Sequence, residues 1–321
     1  MIDLELVKLE IKLLEPALFT ARRLGSTYLL SENYIKAGAL KGAIVNEAFR
    51  KDSAIGKKAL EELSVSSAYP SGSLPAHAYI LLFKRKSQVF YEKKGILSAD
   101  DLFEKKFYSE TLRWLKELKE DLKPEPKSVI GSIVKFSESF EGYSTYKKVT
   151  AEAVVVPNVA VSKRSGSSQR GMLFFYETVK TGSYWALVDY SKWKELGLED
   201  ELTVTLGKSR IGGEARISLV QKNVEYAEKG NAYCLTECLP SFGSAPVFDY
   251  ERALSAASVY RGWFTNDDFS STKPVFSVMK EGSILKLKSS SGAEKLMPAG
   301  LNFMLSAEDG YSMLKSIGEV S

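Results

Sequence analysis

Residues 206–219 read LGKSRIGGEARISL, and this stretch determines how we interpret the fold. Two apolar segments flank a loop of glycine and cationic residues, so the pattern predicts two strands joined by a turn. Three glycines within seven residues allow left-handed backbone conformations and the close approach of another backbone. Lys208, Arg210 and Arg216 supply charge that suits phosphate groups. Taken alone, the stretch also fits a polar hairpin whose lysines are simply solvated.

The length and charge of the chain set broad limits. Its 321 residues can bury a sizeable core and favour two domains. A formal net charge of +4 is too small to indicate a nucleic-acid partner by itself, so the positions of the basic residues matter more than their number. No apolar run is long enough to cross a bilayer, and we expect a soluble, cytoplasmic protein without a membrane partner.

Cysteine and histidine are scarce, which restricts the chemistry available. Cys234 and Cys238 are the only cysteines, and a single C-x3-C cannot complete a zinc site, so a local disulfide and two packed thiols both fit. Any histidine-dependent triad, metal site or acid–base pair would have to use His77, the only histidine. We therefore predict neither a metal site nor another cofactor.

The first elements follow from hydrophobic periodicity. Residues 7–13 alternate apolar and charged side chains, which predicts a strand with one buried face. From Leu40 onward, apolar side chains recur at helical spacing, which predicts a helix that ends near Phe49. Gly38 and Gly42 bracket the beginning of this helix, where free amides and the helix dipole could receive an anion.

Residues 51–150 interrupt this pattern and are predicted to be an insertion. Within it we expect an irregular segment at residues 67–75, a short strand at residues 78–83 and an amphipathic helix at residues 102–122. The charges of that helix are interpreted as a solvated face.

Strand patterns resume after the insertion. Residues 151–161 are apolar and β-branched, as in a strand buried on both faces, and residues 162–171 form a basic, flexible loop. A hairpin is predicted from residues 172–179 and 184–188, followed by a short helix at residues 190–196.

Without the insertion, the element order is β-α-β-β-α-β, which predicts an α+β, ferredoxin-like (RRM-like) domain over residues 1–222. Residues 223–321 are predicted to form a smaller α+β domain. We expect its strands near residues 233–239, 273–279 and 283–288 and a terminal helix at residues 307–316. A degenerate second ferredoxin-like unit is one alternative for this domain.

Several motifs together carry a family resemblance. They are YIKAGALKGA at residues 34–43, RSGS at residues 164–167 with LFFYE at residues 173–177, LGKSRIGG at residues 206–213, and AYP with LP within residues 68–75. In their order along the chain, these motifs resemble the RAMP superfamily, the RNA-binding subunits of CRISPR-Cas effector complexes. The chain is most similar to the type III, III-D-like subunit that caps the 5′ tag of the CRISPR RNA.

This resemblance implies a non-catalytic RNA-binding subunit acting in antiviral defense. Its implied partners are CRISPR RNA, the large signature subunit and the backbone RAMP subunits of a type III effector complex. Tyr34 and Phe174 could stack on bases, although Phe174 fits a core position better. The candidate RNA-binding residues are Lys36, Gly38, Lys41, Lys163, Arg164, Arg170, Gly207, Lys208, Arg210, Gly212 and Gly213.

Three other interpretations remain open. A processing endoribonuclease of the same superfamily would use His77 as a base without a metal ion, but a structural histidine is the simpler interpretation. Backbone subunits that cut target RNA place an aspartate between the first strand and the first helix, and residues 15–36 contain none. A scaffold protein without an RNA role is the third.

Asp267-Asp268 is interpreted as a turn rather than a metal pair.

Overall fold

The protein is described by a computed structural model. It covers residues 4–19, 22–24, 28–77, 80–83, 89–93, 127–140, 143–161, 168–207, 212–261, 263–265, 270–272 and 274–307. The chain is mixed α+β, rich in strands, and divides into two compact units. Val7–Ser71 and Thr150–Asn223 form the helical unit, whereas Met1–Leu6, Gly72–Val149 and Val224–Ser321 form the strand-rich unit.

The elements up to residue 149 are, in chain order, β1 (Leu6–Leu13), β2 (Arg22–Leu24), β3 (Tyr28–Leu30), α1 (Ala37–Lys51), α2 (Ser53–Glu62), β4 (Tyr69–Pro70), β5 (Ser73–Pro75), β6 (Leu81–Phe83), β7 (Val89–Lys93), β8 (Lys127–Ser128), β9 (Ile133–Phe140) and β10 (Tyr143–Lys148).

The later elements are β11 (Ala153–Val161), β12 (Ser168–Val179), β13 (Gly182–Asp189), α3 (Tyr190–Glu195), β14 (Glu201–Leu206), β15 (Gly213–Val224), β16 (Gly230–Cys234), β17 (Ser241–Phe242), β18 (Ala245–Pro246), β19 (Asp249–Leu254), β20 (Ala257–Tyr260), β21 (Trp263–Thr265), β22 (Ser270–Thr272), β23 (Phe276–Met279), β24 (Ile284–Ser289), a 3₁₀ helix (Ala293–Ala299) and β25 (Met304–Ser306).

A five-stranded sheet in the order β14-β15-β1-β13-β4 forms the centre of the helical unit. Alternate β1 side chains, including Leu9 and Ile11, share one core with Leu40 and Ile44 of α1, which explains the two periodicities seen in the sequence. On the other face of β1, Glu10 is half-buried and Lys12 is exposed, as the alternation predicts, whereas Lys8 is buried, 3.2 Å from a carboxylate oxygen of Glu10.

The strand predicted at residues 151–161 is present as β11, but it does not belong to the central sheet. β11 and β12 belong instead to a separate four-stranded sheet in the order β11-β12-β3-β2, and β13 does not pair with β12 but lies in the central sheet. Val155 and Val159 are 48% and 46% exposed, so β11 is not buried on both faces. β-branched residues favour a strand whether both of its faces are buried or one is exposed, so composition did not distinguish these two environments.

The segment predicted as an insertion begins later in the structure than the sequence predicts. α1 continues to Lys51, and the Asp52 side chain then accepts the Ala54 and Ile55 amides at 2.6 and 3.3 Å, which begins α2. α2 belongs to the helical unit, so the segment that leaves this unit begins at Gly72 rather than near residue 51. Residues 67–75 are not wholly irregular, since they contain β4 and β5.

Residues 72–149 pack with the C-terminal segment instead of forming an appendage of the predicted 1–222 domain. The Tyr233 hydroxyl donates to the Pro75 carbonyl at 2.6 Å. Gly282, with a φ of 85°, lies directly against the Ala76 carbonyl and beside Gly131. Two larger sheets of this unit have the orders β5-β9-β10-β7-β6-β8 and β19-β24-β16-β25.

Strands occur near the C-terminal positions predicted at residues 273–279 and 283–288, as β23 and β24, whereas β16 ends at Cys234 and shares only residues 233–234 with the strand predicted at 233–239. Within the described part of residues 224–307 the only helix is the 3₁₀ helix. The helix predicted at residues 102–122, and nearly all of the one at 307–316, lie outside the described residues. Cys234 and Cys238 form a disulfide, which is one of the two alternatives, a local disulfide or two packed thiols, that their spacing left open.

Candidate nucleic-acid interface

The glycine loop joins two strands, as its sequence predicts. β14 and β15 pair antiparallel, with Leu206 opposite Gly213. Gly207 has a φ of 106°, a left-handed conformation that favours glycine. Lys208 and Arg210 lie outside the described residues, so the structure fixes the ends of this loop rather than its tip.

The ends of the glycine loop contact the segment that follows β1. A Cβ atom on Gly207 would lie 3.0 Å from the Leu18 carbonyl oxygen, and one on Gly213 would overlap the Glu15 carbonyl. The Glu15 carboxylate in turn accepts the Glu214 amide at 3.1 Å. Gly207 and Gly213 therefore have a structural requirement, close backbone packing, besides any contact with a ligand.

The same segment also contacts the last residue of β12 and the beginning of β13. Ala17 and Val179 exchange two backbone hydrogen bonds, at 3.0 and 2.8 Å. Phe19 packs edge-on against Tyr184, with ring centroids 5.9 Å apart. Burial raises the pKa of Tyr184 to about 12, so its hydroxyl stays protonated and neutral around pH 7.

Contacts continue from β13 to the beginning of α1. The Ser71 amide donates to the Ser183 carbonyl at 2.9 Å, and β13 pairs antiparallel with β4. Tyr34 stacks on Tyr69 with ring centroids 5.6 Å apart and planes inclined by 18°. The glycine loop therefore follows β14 at one edge of the central sheet, whereas the beginning of α1 lies beside β4 at the other edge, and the five strands span roughly 19 Å.

The predicted residues of α1 differ in accessibility. Lys36 and Gly38 are exposed, and no neighbouring atom lies within 4 Å of a Cβ atom built on Gly38. Lys41, by contrast, is only 8% exposed, which leaves little of its side chain for a phosphate. The Ala37 amide donates to the Ser67 hydroxyl at 3.2 Å, so one of the first helical amides already has an internal partner that sequence reasoning missed.

The basic loop at residues 162–171 occupies a different position. β11 and β12 pair from Ala153 opposite Val179 to Val161 opposite Ser168, so this loop connects the far ends of a long hairpin. At about 3.3 Å per residue, Ser168 at the beginning of β12 is roughly 35 Å along this strand from Val179. β11 and β12 belong to a sheet separate from the central one, so the strands on either side of this loop are not part of the sheet that carries the glycine loop. Arg170 lies in β12, and Lys163 and Arg164 lie outside the described residues.

The residues weighed for catalysis or metal binding do not form a site in the described part of the chain. His77 is only 1% exposed, which suits a structural residue better than a base that must reach RNA. Among the described residues no group of three or more His, Cys, Asp and Glu side chains could hold a metal ion. Asp267 and Asp268 lie outside them. None of the described helices is long and apolar enough to cross a membrane.

No protein-family model and no curated protein sequence matches the chain. Its fold resembles that of chains in solved type III-B assemblies. One belongs to the cryo-EM structure of the Type III-B Cmr-beta bound to cognate target RNA and AMPPnP, with a TM-score of 0.52, 12% identity, and coverage of 87% of this chain and 86% of that chain. A second, from Type III-B Cmr-beta bound to cognate target RNA, gives a TM-score of 0.52, 13% identity and the same coverage.

Proposed function

We propose that this protein is a non-catalytic, RNA-binding subunit of a type III CRISPR-Cas effector complex. In this role it holds the 5′ tag of the CRISPR RNA and contacts the large signature subunit and the backbone subunits. The observation that carries the proposal is the packing of the ends of the glycine loop against Glu15 and Leu18. The same segment continues to Phe19, whose carbonyl accepts the Glu32 amide at 3.2 Å shortly before the exposed beginning of α1. The fold similarity to chains of Type III-B Cmr-beta supports it.

The topology of the helical unit supports the ferredoxin-like part of the proposal. The neighbouring strands β15, β1, β13 and β4 are, in chain order, the fourth, first, third and second of a β-α-β-β-α-β series. α1 and α2 follow β1, and α3 follows β13. β14 then adds a strand at the edge of this sheet.

The chemistry of the glycine loop and of the beginning of α1 suits a nucleotide backbone. Glycines without side chains allow phosphate groups to approach main-chain amides, and Lys36, Lys208 and Arg210 add positive charge. The buried Lys41 is not needed for this arrangement. Lys163, Arg164 and Arg170, carried on the β11–β12 hairpin, would contact a more distant part of the RNA.

The first test is the double charge reversal Lys208→Glu with Arg210→Glu. Because each lost phosphate contact to single-stranded RNA changes the slope of log affinity against log salt by about 0.7, we expect that slope to fall by about 1.4, with weaker binding at low salt. Lys147→Glu with Lys148→Glu, at exposed positions of β10 in the strand-rich unit, is the control with the same change in net charge. Equal affinity of both variants would remove the glycine loop from the interface.

A cleavage assay distinguishes this proposal from a processing endoribonuclease. The purified wild-type protein and the His77→Ala variant are each incubated with CRISPR repeat RNA. We expect the RNA to stay intact in both reactions, since His77 is buried. Cleavage that disappears in the variant would favour the nuclease instead.

A further inference from the structure

The Cys234–Cys238 disulfide closes a loop of five residues, here called the disulfide loop (residues 234–238), at the end of β16. Both cysteines are completely buried, and neither is within the candidate nucleic-acid interface. The two Cα atoms are 6.3 Å apart.

The first half of the disulfide loop binds two other segments through its backbone. The Cys234 amide donates to the Ser283 carbonyl at 2.8 Å, and the Cys234 carbonyl accepts the Gly282 amide at 2.8 Å. The Leu235 amide donates to the Phe303 carbonyl, also at 2.8 Å. The turn before β24 and the segment before β25 are thus attached to consecutive residues.

The second half adds two more segments. The Glu237 side chain accepts the Ser258 hydroxyl of β20 at 2.9 Å. Cys238 exchanges two backbone hydrogen bonds with Met279 of β23, each 2.8 Å long. The Glu237 carbonyl accepts the Asn302 amide at 3.1 Å. One short loop therefore contacts four separate parts of the C-terminal segment.

We propose that this disulfide is a redox-sensitive stabilising bond for the C-terminal segment. In the oxidised protein it restricts the disulfide loop to the conformation that makes these hydrogen bonds. A dithiol reductant breaks the S–S bond by two-electron reduction, each cysteine sulfur takes up one proton, and the dithiol becomes a disulfide. Because both sulfurs are buried, the attacking thiolate reaches them only when this segment opens locally.

Thiol labelling of the full-length protein tests the bond and its shielding. Without reductant, we expect an alkylating reagent to label neither cysteine, even in denaturant. With dithiothreitol, both should be labelled rapidly in denaturant and slowly under native conditions. Two labelled thiols in the unreduced, denatured protein would overturn the proposal, and so would equally rapid reduction under both conditions.

Thermal unfolding with and without dithiothreitol tests the stabilising effect. We expect reduction to lower the Tm by roughly 4 °C or more, with faster amide exchange at Leu235, Cys238 and Leu239. The double variant Cys234→Ser with Cys238→Ser should start from the lower Tm and not respond to dithiothreitol. If this variant does not fold, the comparison of oxidised and reduced wild-type protein still shows whether the disulfide stabilises the protein. A Tm unchanged by reduction would contradict the proposal, whatever the outcome of the RNA experiments.

Discussion

Gly282 combines two requirements that only glycine meets without strain. Its φ of 85° lies in the left-handed region, and a Cβ atom there would overlap the Ala76 carbonyl. It therefore lets the turn before β24 pack closely against residues 72–149. The sequence contained this glycine within EGSI at residues 281–284, but the partner that it approaches is about 200 residues away and leaves no local pattern.

Gly282→Ala should lower the free energy of unfolding by about 2 kcal/mol or more, because it adds a steric overlap to the cost of a left-handed alanine. Gly243→Ala is the matched control, since Gly243 has a φ of 61° but no atom within 4 Å of its Cβ position. We expect the control to lose only about 1 kcal/mol in urea denaturation. Equal losses in both variants would show that the contact with Ala76 contributes nothing.

Tyr233 supplies a second contact between the same segments. Its burial raises the pKa of the phenol well above the ordinary value, so the hydroxyl remains a hydrogen-bond donor to the Pro75 carbonyl. Tyr233→Phe removes this donor, and we expect a loss of about 1 to 2 kcal/mol in urea denaturation.

The control for Tyr233→Phe is Tyr260→Phe. The Tyr260 hydroxyl also donates to a backbone carbonyl, that of Ala299, but at 3.2 Å and in a half-buried position. Its loss should therefore be smaller. A Tyr233→Phe variant as stable as the wild type would contradict the assigned role of this hydrogen bond.

At the level of elements, a group of charged side chains connects α2 with α3. Lys192 contacts Glu62 and Glu195 at 2.9 and 2.8 Å, and Lys58 contacts Glu195 at 2.6 Å. The hydrogen bonds from Lys192 and Lys58 lower the pKa of Glu195 from its ordinary 4.5 to about 2. Glu195 is surface-exposed, so the effect on stability is modest and sensitive to salt.

The pKa of Glu195 predicts a pH dependence. A carboxylate with a lowered folded-state pKa stabilises the fold above its unfolded pKa of 4.5, and this contribution is lost as the pH falls toward about 2. The Tm of Glu195→Gln should therefore fall less steeply than that of the wild type over this range. Glu199→Gln, which removes a single contact with Lys51, is the matched control. Identical pH profiles of wild type and Glu195→Gln would exclude a contribution from this cluster.

Sequence pattern predicted the elements that local periodicity or turn residues define, wherever their partners lie in the chain. β1, α1, α3 and the β14–β15 pair follow from local periodicity and turn residues. β4 has only two residues, and the membership of β11 and β12 in a separate sheet depends on pairing with β3, which local composition does not record. Within the candidate site, Gly207 and Gly213 were recognised from the loop itself, whereas their packing against Glu15 and Leu18 required coordinates.

At the level of the whole molecule, the two units alternate along the chain. The backbone passes from one to the other after Leu6, Ser71, Val149 and Asn223. Residues 72–149 consequently depend on strands and turns of the last hundred residues, including Tyr233 and Gly282. Neither unit corresponds to one continuous piece of sequence.

This alternation predicts the result of a truncation. A chain ending at Asn223 lacks the partners of Pro75 and Ala76, so β9 should lose protection against amide hydrogen exchange, roughly tenfold or more. α1 and β13, whose core lies in the helical unit, should keep most of their protection. Equal protection of β9 in the truncated and complete chains would show that residues 72–149 fold independently.

The discontinuous strand-rich unit also has a consequence during synthesis. The ribosome releases residues 72–149 before it has made residues 224–307, and at typical elongation rates the delay is roughly 4 to 15 s. During this interval Pro75, Ala76 and Gly131 lack their later contacts, and apolar surface around them stays accessible to chaperones and to other nascent chains. Slower translation of residues 150–223 would lengthen this exposure without changing a single amino acid.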